Sequence, residues 1–95
     1  METSVEVRHE REASRFAATV EGHDCELDYR IEGGVLTILH TGVPAAVGGR
    51  GIAAQLTQAT LAFARAEQLK VYPACSYAAT YFRRHPDQTD LLLKL

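Results

Sequence analysis

A glycine-dense segment near the middle of the chain separates two different hydrophobic patterns. The segment reads Gly48-Gly49-Arg50-Gly51. Apolar residues before it recur with the period of two that is typical of strands, and those after it recur at spacings of three and four, as in a helix. Closely spaced glycines let backbone N–H groups converge, and the positive end of a helix dipole favours an anion. The junction therefore predicts a strand, a loop that binds an anion such as pyrophosphate, and a helix.

The first half of the chain is typical of an antiparallel meander. Turns at Gly22-His23 and Gly33-Gly34 separate strand-like segments, and the glycine pair suits the positive φ angles of a type I′ or II′ turn. The predicted strands are a short one at Val5 and Val7, then residues 15–20, 25–31 and 35–40. In the third strand the alternating apolar residues are Cys25, Leu27, Tyr29 and Ile31.

The second half predicts a strand-helix-strand crossover. The apolar face of its first helix is expected at Ile52, Leu56, Ala59, Phe63 and Ala66. A crossover of this length normally makes the next strand, at 70–73, parallel to the strand before the helix. A second helix is predicted over 76–84, with a candidate last strand over 90–93. The expected fold class is therefore α/β, with an antiparallel N-terminal meander, the crossover and a short C-terminal helix in one mixed sheet.

Length and charge limit the classes of partner. The 95 residues predict a single domain over 1–95, and no segment reaches the roughly 20 apolar residues of a membrane span. With 12 acidic and 10 basic residues the net charge is -2, which argues against a nucleic-acid partner. The N-terminus lacks the basic head and apolar core of a secretory signal. We therefore expect a cytoplasmic protein, a monomer or weak homodimer, with no membrane partner and with Cys25 and Cys75 as free thiols.

Three known phosphate-binding patterns are candidates for the glycine segment. A P-loop requires Lys-Ser or Lys-Thr after its glycines, which this segment lacks. Residues 49–54 match the G-x-G-x-x-A dinucleotide fingerprint, but that fingerprint expects a parallel sheet and an acidic residue after the next strand. The third pattern, R/Q-x-x-G-x-G/A between an antiparallel strand and a helix, resembles the acetyl-coenzyme A loop of GNAT-type N-acetyltransferases and fits the predicted context.

Residues 35–92 are similar to a minimal single-domain GNAT subfamily. The resemblance rests on the serial order of short motifs, namely His40-Thr41, Val43-Pro44, Gly49-Arg50-Gly51-Ile52, Lys70-Val71, Pro73, Cys75, Tyr81 and His85-Pro86-Asp87. It implies a GNAT-like fold, acetyl-coenzyme A as cofactor and a small-molecule or protein amine as acceptor. The chain departs from the pattern at Gly48, where Arg or Gln usually opens the loop, and at Gly42, where an acidic residue is common. The second departure removes a candidate general base.

The resemblance also implies where the cofactor lies. The fourth strand and the parallel strand after the helix would separate, and the pantetheine arm would pair with backbone around Thr41 and Val43 in the gap. The pyrophosphate would contact the loop and the first helical turn. The cofactor-binding residues implied there are Gly48, Gly49, Arg50, Gly51, Ile52 and Ala53.

Cys75 is a candidate catalytic residue with two interpretations. It precedes the second predicted helix, where the helix dipole and free N–H groups favour a thiolate. A free cysteine is also often a small buried hydrophobic residue. The resemblance implies a cysteine at this place beside the acyl thioester, either as an acyl carrier or as part of the wall.

His40, Tyr77 and Tyr81 are further catalytic candidates. An imidazole that titrates near neutrality suits removal of a proton from an ammonium acceptor, although a histidine at a strand end also serves simply as a hydrogen-bond partner. The two tyrosines stand one helical turn apart and are either core residues or, as the resemblance implies, candidates to protonate a departing thiolate. No metal site is predicted, because His23-Asp24-Cys25 is interpreted as a turn.

The sequence and the resemblance together predict an acetyl-coenzyme A-dependent N-acetyltransferase. A neutral amine would attack the thioester directly, with backbone N–H groups stabilising the oxyanion and His40 or water receiving the proton. A ping-pong route through acetyl-Cys75 is the mechanistic alternative. Because Gly42 lacks a carboxylate, a cofactor sensor or interaction module with weak turnover is the second class of function.

Overall fold

A computed structural model describes residues 4–94 of the chain. Five strands form one sheet in the order β1-β2-β3-β4-β5, with β1 to β4 antiparallel and β5 parallel to β4. The elements are β1 (Arg8–Glu10), β2 (Arg15–Val20), β3 (His23–Glu32), β4 (Val35–Gly42), α1 (Ile52–Ala66), β5 (Lys70–Pro73) and α2 (Ser76–Arg84). The predicted mixed α/β fold, with its meander and crossover, is confirmed.

The first strand lies further along the chain than predicted. Val5 and Val7 precede β1 and pack, partly buried, against the core. The backbone N–H of Val5 donates to Gln55 Oε1 of α1 at 3.0 Å. The alternation of apolar and charged residues at Val5 and Val7 therefore reflects partial burial of the two valines and not strand pairing. Strand pairing starts only at Arg8, whose partner is Ala17.

The two hairpin turns differ in how well they were predicted. Gly33 and Gly34 have φ angles of 58° and 78°, as a type I′ turn requires at both central positions. The earlier turn uses Glu21 and Gly22, with φ angles of 49° and 78°, so β3 already begins at His23. It lies one residue before the predicted pair.

The buried face of α1 differs from the predicted one. Ala59 and Phe63 are only partly buried and Ala66 is exposed, whereas Ile52 and Leu56 are buried as expected. The buried residues of the helix are Ile52, Leu56, Thr57, Thr60, Leu61 and Ala64. The two threonines are tolerated there because their hydroxyls donate to the carbonyls of Ala53 at 2.8 Å and Leu56 at 2.9 Å.

The candidate last strand over 90–93 is reduced to a single bridge. A 3-10 helix begins at Pro86 and runs to Leu91, so it takes up the first residues of that segment. Leu92 forms one parallel bridge with Val71, and the N–H of Leu93 donates to the Val71 carbonyl at 2.9 Å. Within residues 4–94, no helix combines the length and apolarity needed to cross a bilayer.

Both helices pack on one face of the sheet. Alternate residues of β2 and β3, such as Phe16, Leu27 and Tyr29, form one cluster with buried residues of α1 and α2. Ile31, predicted on this face, lies near the end of β3 and is exposed. The residues of β2 and β3 that alternate with the core residues point to the opposite face of the sheet, which we call the open face. These residues include Arg15, Asp24, Glu26 and Asp28.

Candidate functional site

The glycine loop ends at the N-terminus of α1. Gly49 and Gly51 both have φ of 76°, a left-handed conformation that favours glycine, and Gly51 is the N-cap of the helix. No side chain caps this end of the 15-residue helix. A cleft of about 240 Å³ adjoins it, lined by Val43, Gly48, Gly49, Gly51, Ile52, Ala53, Ala54 and Tyr77. This geometry offers backbone N–H groups and a positive helix end to an anion.

Arg50 lies between these glycines but is paired with another residue. Its guanidinium bonds both carboxylate oxygens of Glu21, at 2.6 and 3.3 Å. The hydrogen bond and the charge of Glu21 raise the pKa of Arg50, while Arg50 lowers the pKa of Glu21. The charge of Arg50 is thus largely compensated, which leaves the loop backbone as the main candidate for anion binding.

The pairing of β4 with β5 ends where the predicted pantetheine gap would begin. Their pairing ends at Ile38 and Pro73. The Ile38 carbonyl then accepts two hydrogen bonds, from the N–H groups of Ala74 and Cys75, each at 3.1 Å. Beyond this point β4 continues to Gly42 without a β5 partner, which leaves the edge of β4 around Thr41 unpaired with β5.

Cys75 is the N-cap of α2 and faces β4. Its Sγ accepts a hydrogen bond from the N–H of Ala78 at 3.4 Å and lies 3.6 Å from Thr41 Oγ1. The residue is half-buried, whereas Cys25 is fully buried in the core, and burial raises the pKa of the Cys25 thiol. The structure therefore places Cys75, and not Cys25, beside the part of β4 that has no β5 partner.

The two tyrosines of α2 lie in different surroundings. Tyr77 lines the cleft at the glycine loop and is partly exposed. Burial raises the pKa of Tyr77, and the nearby Tyr81 adds to that shift. Tyr81 is buried and stacks on His85 with ring centroids 3.9 Å apart. It borders a different cleft, which Gln58 also lines. Only Tyr77 of this pair borders the loop cleft.

His40 is paired with a carboxylate from the neighbouring strand that was not among the predicted site residues. Its Nε2 lies 3.3 Å from Oε2 of Glu26 on the adjacent strand β3. Alternation along β3 indicates that Glu26 points away from the core, but the pairing also depends on an irregular register. Tyr29 pairs with Ile38 and Asp28 pairs with His40, so Leu39 is an extra residue in β4. Such a bulge cannot be read from hydrophobic alternation.

Two other sequence predictions concern histidines and metals. His85, part of the His85-Pro86-Asp87 motif, is the C-cap of α2, and its Nδ1 lies 2.8 Å from the carbonyl of Tyr81. His23, Asp24 and Cys25 occupy the start of β3 and form no metal-binding group. In the described part of the chain, no three His, Cys, Asp or Glu residues come together as a metal site would require.

The chain matches proteins of one family over most of its length. Residues 15–91 match the family model described as GCN5-related N-acetyl-transferase. Protein NATD1 from Gallus gallus is 36% identical over 85 residues, covering 86% of this chain and 77% of NATD1. Protein NATD1 from Homo sapiens is also 36% identical over 85 residues, covering 86% of this chain and 75% of NATD1.

A solved structure has the same architecture. The NMR solution structure of a GCN5-like protein from Staphylococcus aureus aligns with a TM-score of 0.76 and 26% sequence identity, covering 98% of this chain and 92% of that one. The family match spans the glycine loop, β4, β5 and α2. This chain therefore belongs to the GCN5-related N-acetyltransferase family, whose members generally bind acetyl-coenzyme A.

Proposed function

We propose that this chain binds acetyl-coenzyme A at its glycine loop and transfers the acetyl group to a primary amine of a small molecule or protein. The observation that carries the proposal is that two features border one region. The uncapped N-terminus of α1 borders the cleft that Val43 and Tyr77 line, and Val43 directly follows the end of β4 that has no β5 partner. The N-terminus of α1 is suited to binding phosphates, and the edge of β4 is suited to binding an extended chain of amides.

Gly49 borders open space at the glycine loop. A Cβ built on Gly49 would meet no atom within 4 Å, so the space in front of the loop is open. Bound acetyl-coenzyme A supplies an acetyl group that is activated as a thioester. Gly49, Gly51 and the first turn of α1 would hold the phosphates through backbone N–H groups, while the edge of β4 near Thr41 would bind the pantetheine amides.

The side chains around the gap have distinct roles in this proposal. His40 accepts the proton that the amine loses, since a neutral imidazole offers a basic ring nitrogen. Tyr77 donates a proton to the departing thiolate, and its raised pKa keeps the phenol protonated for this task. Cys75 shapes the wall beside the thioester and holds the N-terminus of α2 through its bond to Ala78.

Direct transfer predicts that Cys75 carries no acetyl group. We expect Cys75→Ser to keep its activity within about threefold of wild type, because the serine hydroxyl can still accept from Ala78 N–H as an N-cap. Intact-protein mass spectrometry after mixing with acetyl-coenzyme A should show no adduct formed at a kinetically competent rate. Cys25→Ala is the matched control for the second thiol. An adduct lost in Cys75→Ser, together with an inactive variant, would establish the ping-pong route instead.

The proposed activity is tested with purified protein, acetyl-coenzyme A and a panel of primary amines. The panel contains polyamines, amino acids, amino sugars, and peptides with a free N-terminus or lysine. We expect at least one amine to release coenzyme A above background, with the acetylated amine identified by mass. Coenzyme A binding without any product would support the sensor or interaction module and overturn the enzymatic proposal.

A further inference from the structure

A carboxylate from β3 occupies the space above Gly42 of β4. Glu26 and Gly42 are register partners in the β3–β4 pair. A Cβ built on Gly42 would collide with Glu26 Oε2 and would lie 3.0 Å from His40 Nε2. Glycine is not required here by the backbone, because Gly42 is absent from the residues with positive φ. The missing side chain at position 42 thus makes room for the Glu26 carboxylate beside His40.

The bulge in β4 explains why His40 meets Glu26. His40 is the register partner of Asp28, but Asp28 bonds Arg15 Nε at 2.8 Å across to β2. The extra residue Leu39 turns the strand locally, as bulges do, and the imidazole then lies against the carboxylate two residues along β3. Glu26 is therefore the carboxylate that contacts His40.

The Glu26–His40 pair lies on the open face, opposite the side that Thr41 contacts. Glu26 alternates along β3 with the buried residues Cys25 and Leu27. Thr41, which follows His40, lies against Cys75 at the start of α2. The His40 side chain is 60% exposed, and among residues 4–94 its Nδ1 has no hydrogen-bond partner. An amine arriving from solvent on the open face can therefore reach this nitrogen.

We propose that Glu26 is a positioning residue that makes His40 the proton acceptor of the transfer reaction. Glu26 Oε2 lies 3.3 Å from His40 Nε2, and a hydrogen bond from Nε2–H to this oxygen in the reacting complex would fix the tautomer that leaves a lone pair on Nδ1. The amine N–H bond breaks and its proton binds Nδ1, giving an imidazolium whose charge Glu26 stabilises. That proton then passes from Nδ1 to water. The assignment rests on the proposed acetyl transfer. It means that Glu26 on β3 supplies a carboxylate beside His40, in place of an acidic side chain at position 42 of β4.

Removing the charge of Glu26 should lower kcat without weakening cofactor binding. We expect Glu26→Gln to lower kcat by about 10-fold to 100-fold, by analogy with the loss of carboxylates that orient metal-bound histidines. The KM for acetyl-coenzyme A and the calorimetric Kd for coenzyme A should stay within about twofold. Asp28→Asn is the matched control on the same strand and face, and it should leave kcat within about twofold.

Moving the carboxylate from position 26 to position 42 should restore kcat if the carboxylate acts on His40. It should not restore kcat if Glu26 only stabilises the fold. Glu26→Ala vacates the space above residue 42, and the added Gly42→Asp places a new carboxylate within reach of His40 Nε2. We expect the Glu26→Ala/Gly42→Asp pair to recover at least about a third of wild-type kcat. The isosteric Glu26→Ala/Gly42→Asn pair should stay as slow as Glu26→Ala. Equal kcat in the two pairs would overturn the proposal.

A spectroscopic readout tests the pair independently of turnover. The ¹⁵N shifts of the His40 imidazole should report the Nε2–H tautomer in the wild-type protein and a mixture of tautomers in Glu26→Gln. If the wild type shows this tautomer and no amine is acetylated, the proposed function fails while the pairing itself stands. If the tautomer is the same in both proteins, or if Glu26→Gln keeps wild-type kcat, Glu26 does not position His40.

Discussion

Substituting Gly51 with valine is expected to remove most of the affinity for coenzyme A. The residue has φ of 76°, and a β-branched side chain is strained there by about 1–3 kcal/mol. The substitution also adds a bulky side chain at the N-cap of α1, beside the N–H groups proposed to hold the phosphates. We expect the Kd, measured by calorimetry, to rise by about 50-fold or more, since each 1.4 kcal/mol is about tenfold.

Two control variants separate this effect from strain and from charge. Gly34→Val introduces a β-branched residue at φ of 78° in a distant hairpin, so it should lower the melting temperature while leaving coenzyme A binding intact. Arg50→Ala should weaken binding by about 1 kcal/mol at most, because its guanidinium is paired with Glu21 at the surface. Equal losses from Gly51→Val and Arg50→Ala would mean that the phosphates contact Arg50 and not the loop backbone.

Replacing Tyr77 with phenylalanine is expected to lower kcat by about 100-fold. General acids contribute roughly 10²–10⁴ in rate, and the variant keeps the ring that lines the cleft while it loses the hydroxyl. The KM for acetyl-coenzyme A should therefore change by less than about threefold. Steady-state kinetics with the best amine from the panel measure both quantities.

Tyr81→Phe is the matched control for this prediction. Tyr81 lies one helical turn away, but it is buried and borders the cleft on the Gln58 side, away from the glycine loop. Its loss of a hydroxyl should leave kcat within about twofold of wild type. A larger loss in Tyr81→Phe than in Tyr77→Phe would transfer the proton-donor role to Tyr81.

The order of elements was predictable because the chain marks its boundaries clearly. Gly33-Gly34 ends one strand and starts the next, and the change of period at Gly51 places the start of α1. The crossover length then determines that β5 runs parallel to β4. The burial of Thr57 and Thr60 was not predictable from hydrophobicity, because their hydroxyls bond within the helix and so lose their polar character toward the core.

The residues of the site were only partly predictable for a related reason. The loop and Cys75 depend on local sequence, since a glycine run and a helix N-terminus are recognisable from their neighbours. The Glu26–His40 contact depends on the register between β3 and β4, which a bulge at Leu39 changes by one residue. Alternation indicates the face of Glu26 but not its partner across the sheet.

Binding of coenzyme A to the wild-type chain tests the central claim most directly. Calorimetry should give a Kd on the order of micromolar, and the melting temperature should rise with coenzyme A concentration by mass action. In a parallel titration followed by ¹H–¹⁵N NMR, the largest shifts should fall on the amides of residues 49–54, Thr41 and Val43. A blank calorimetric trace with an unchanged melting temperature at millimolar coenzyme A, or shifts confined to the cleft at Gln58 and Arg65, would contradict the account.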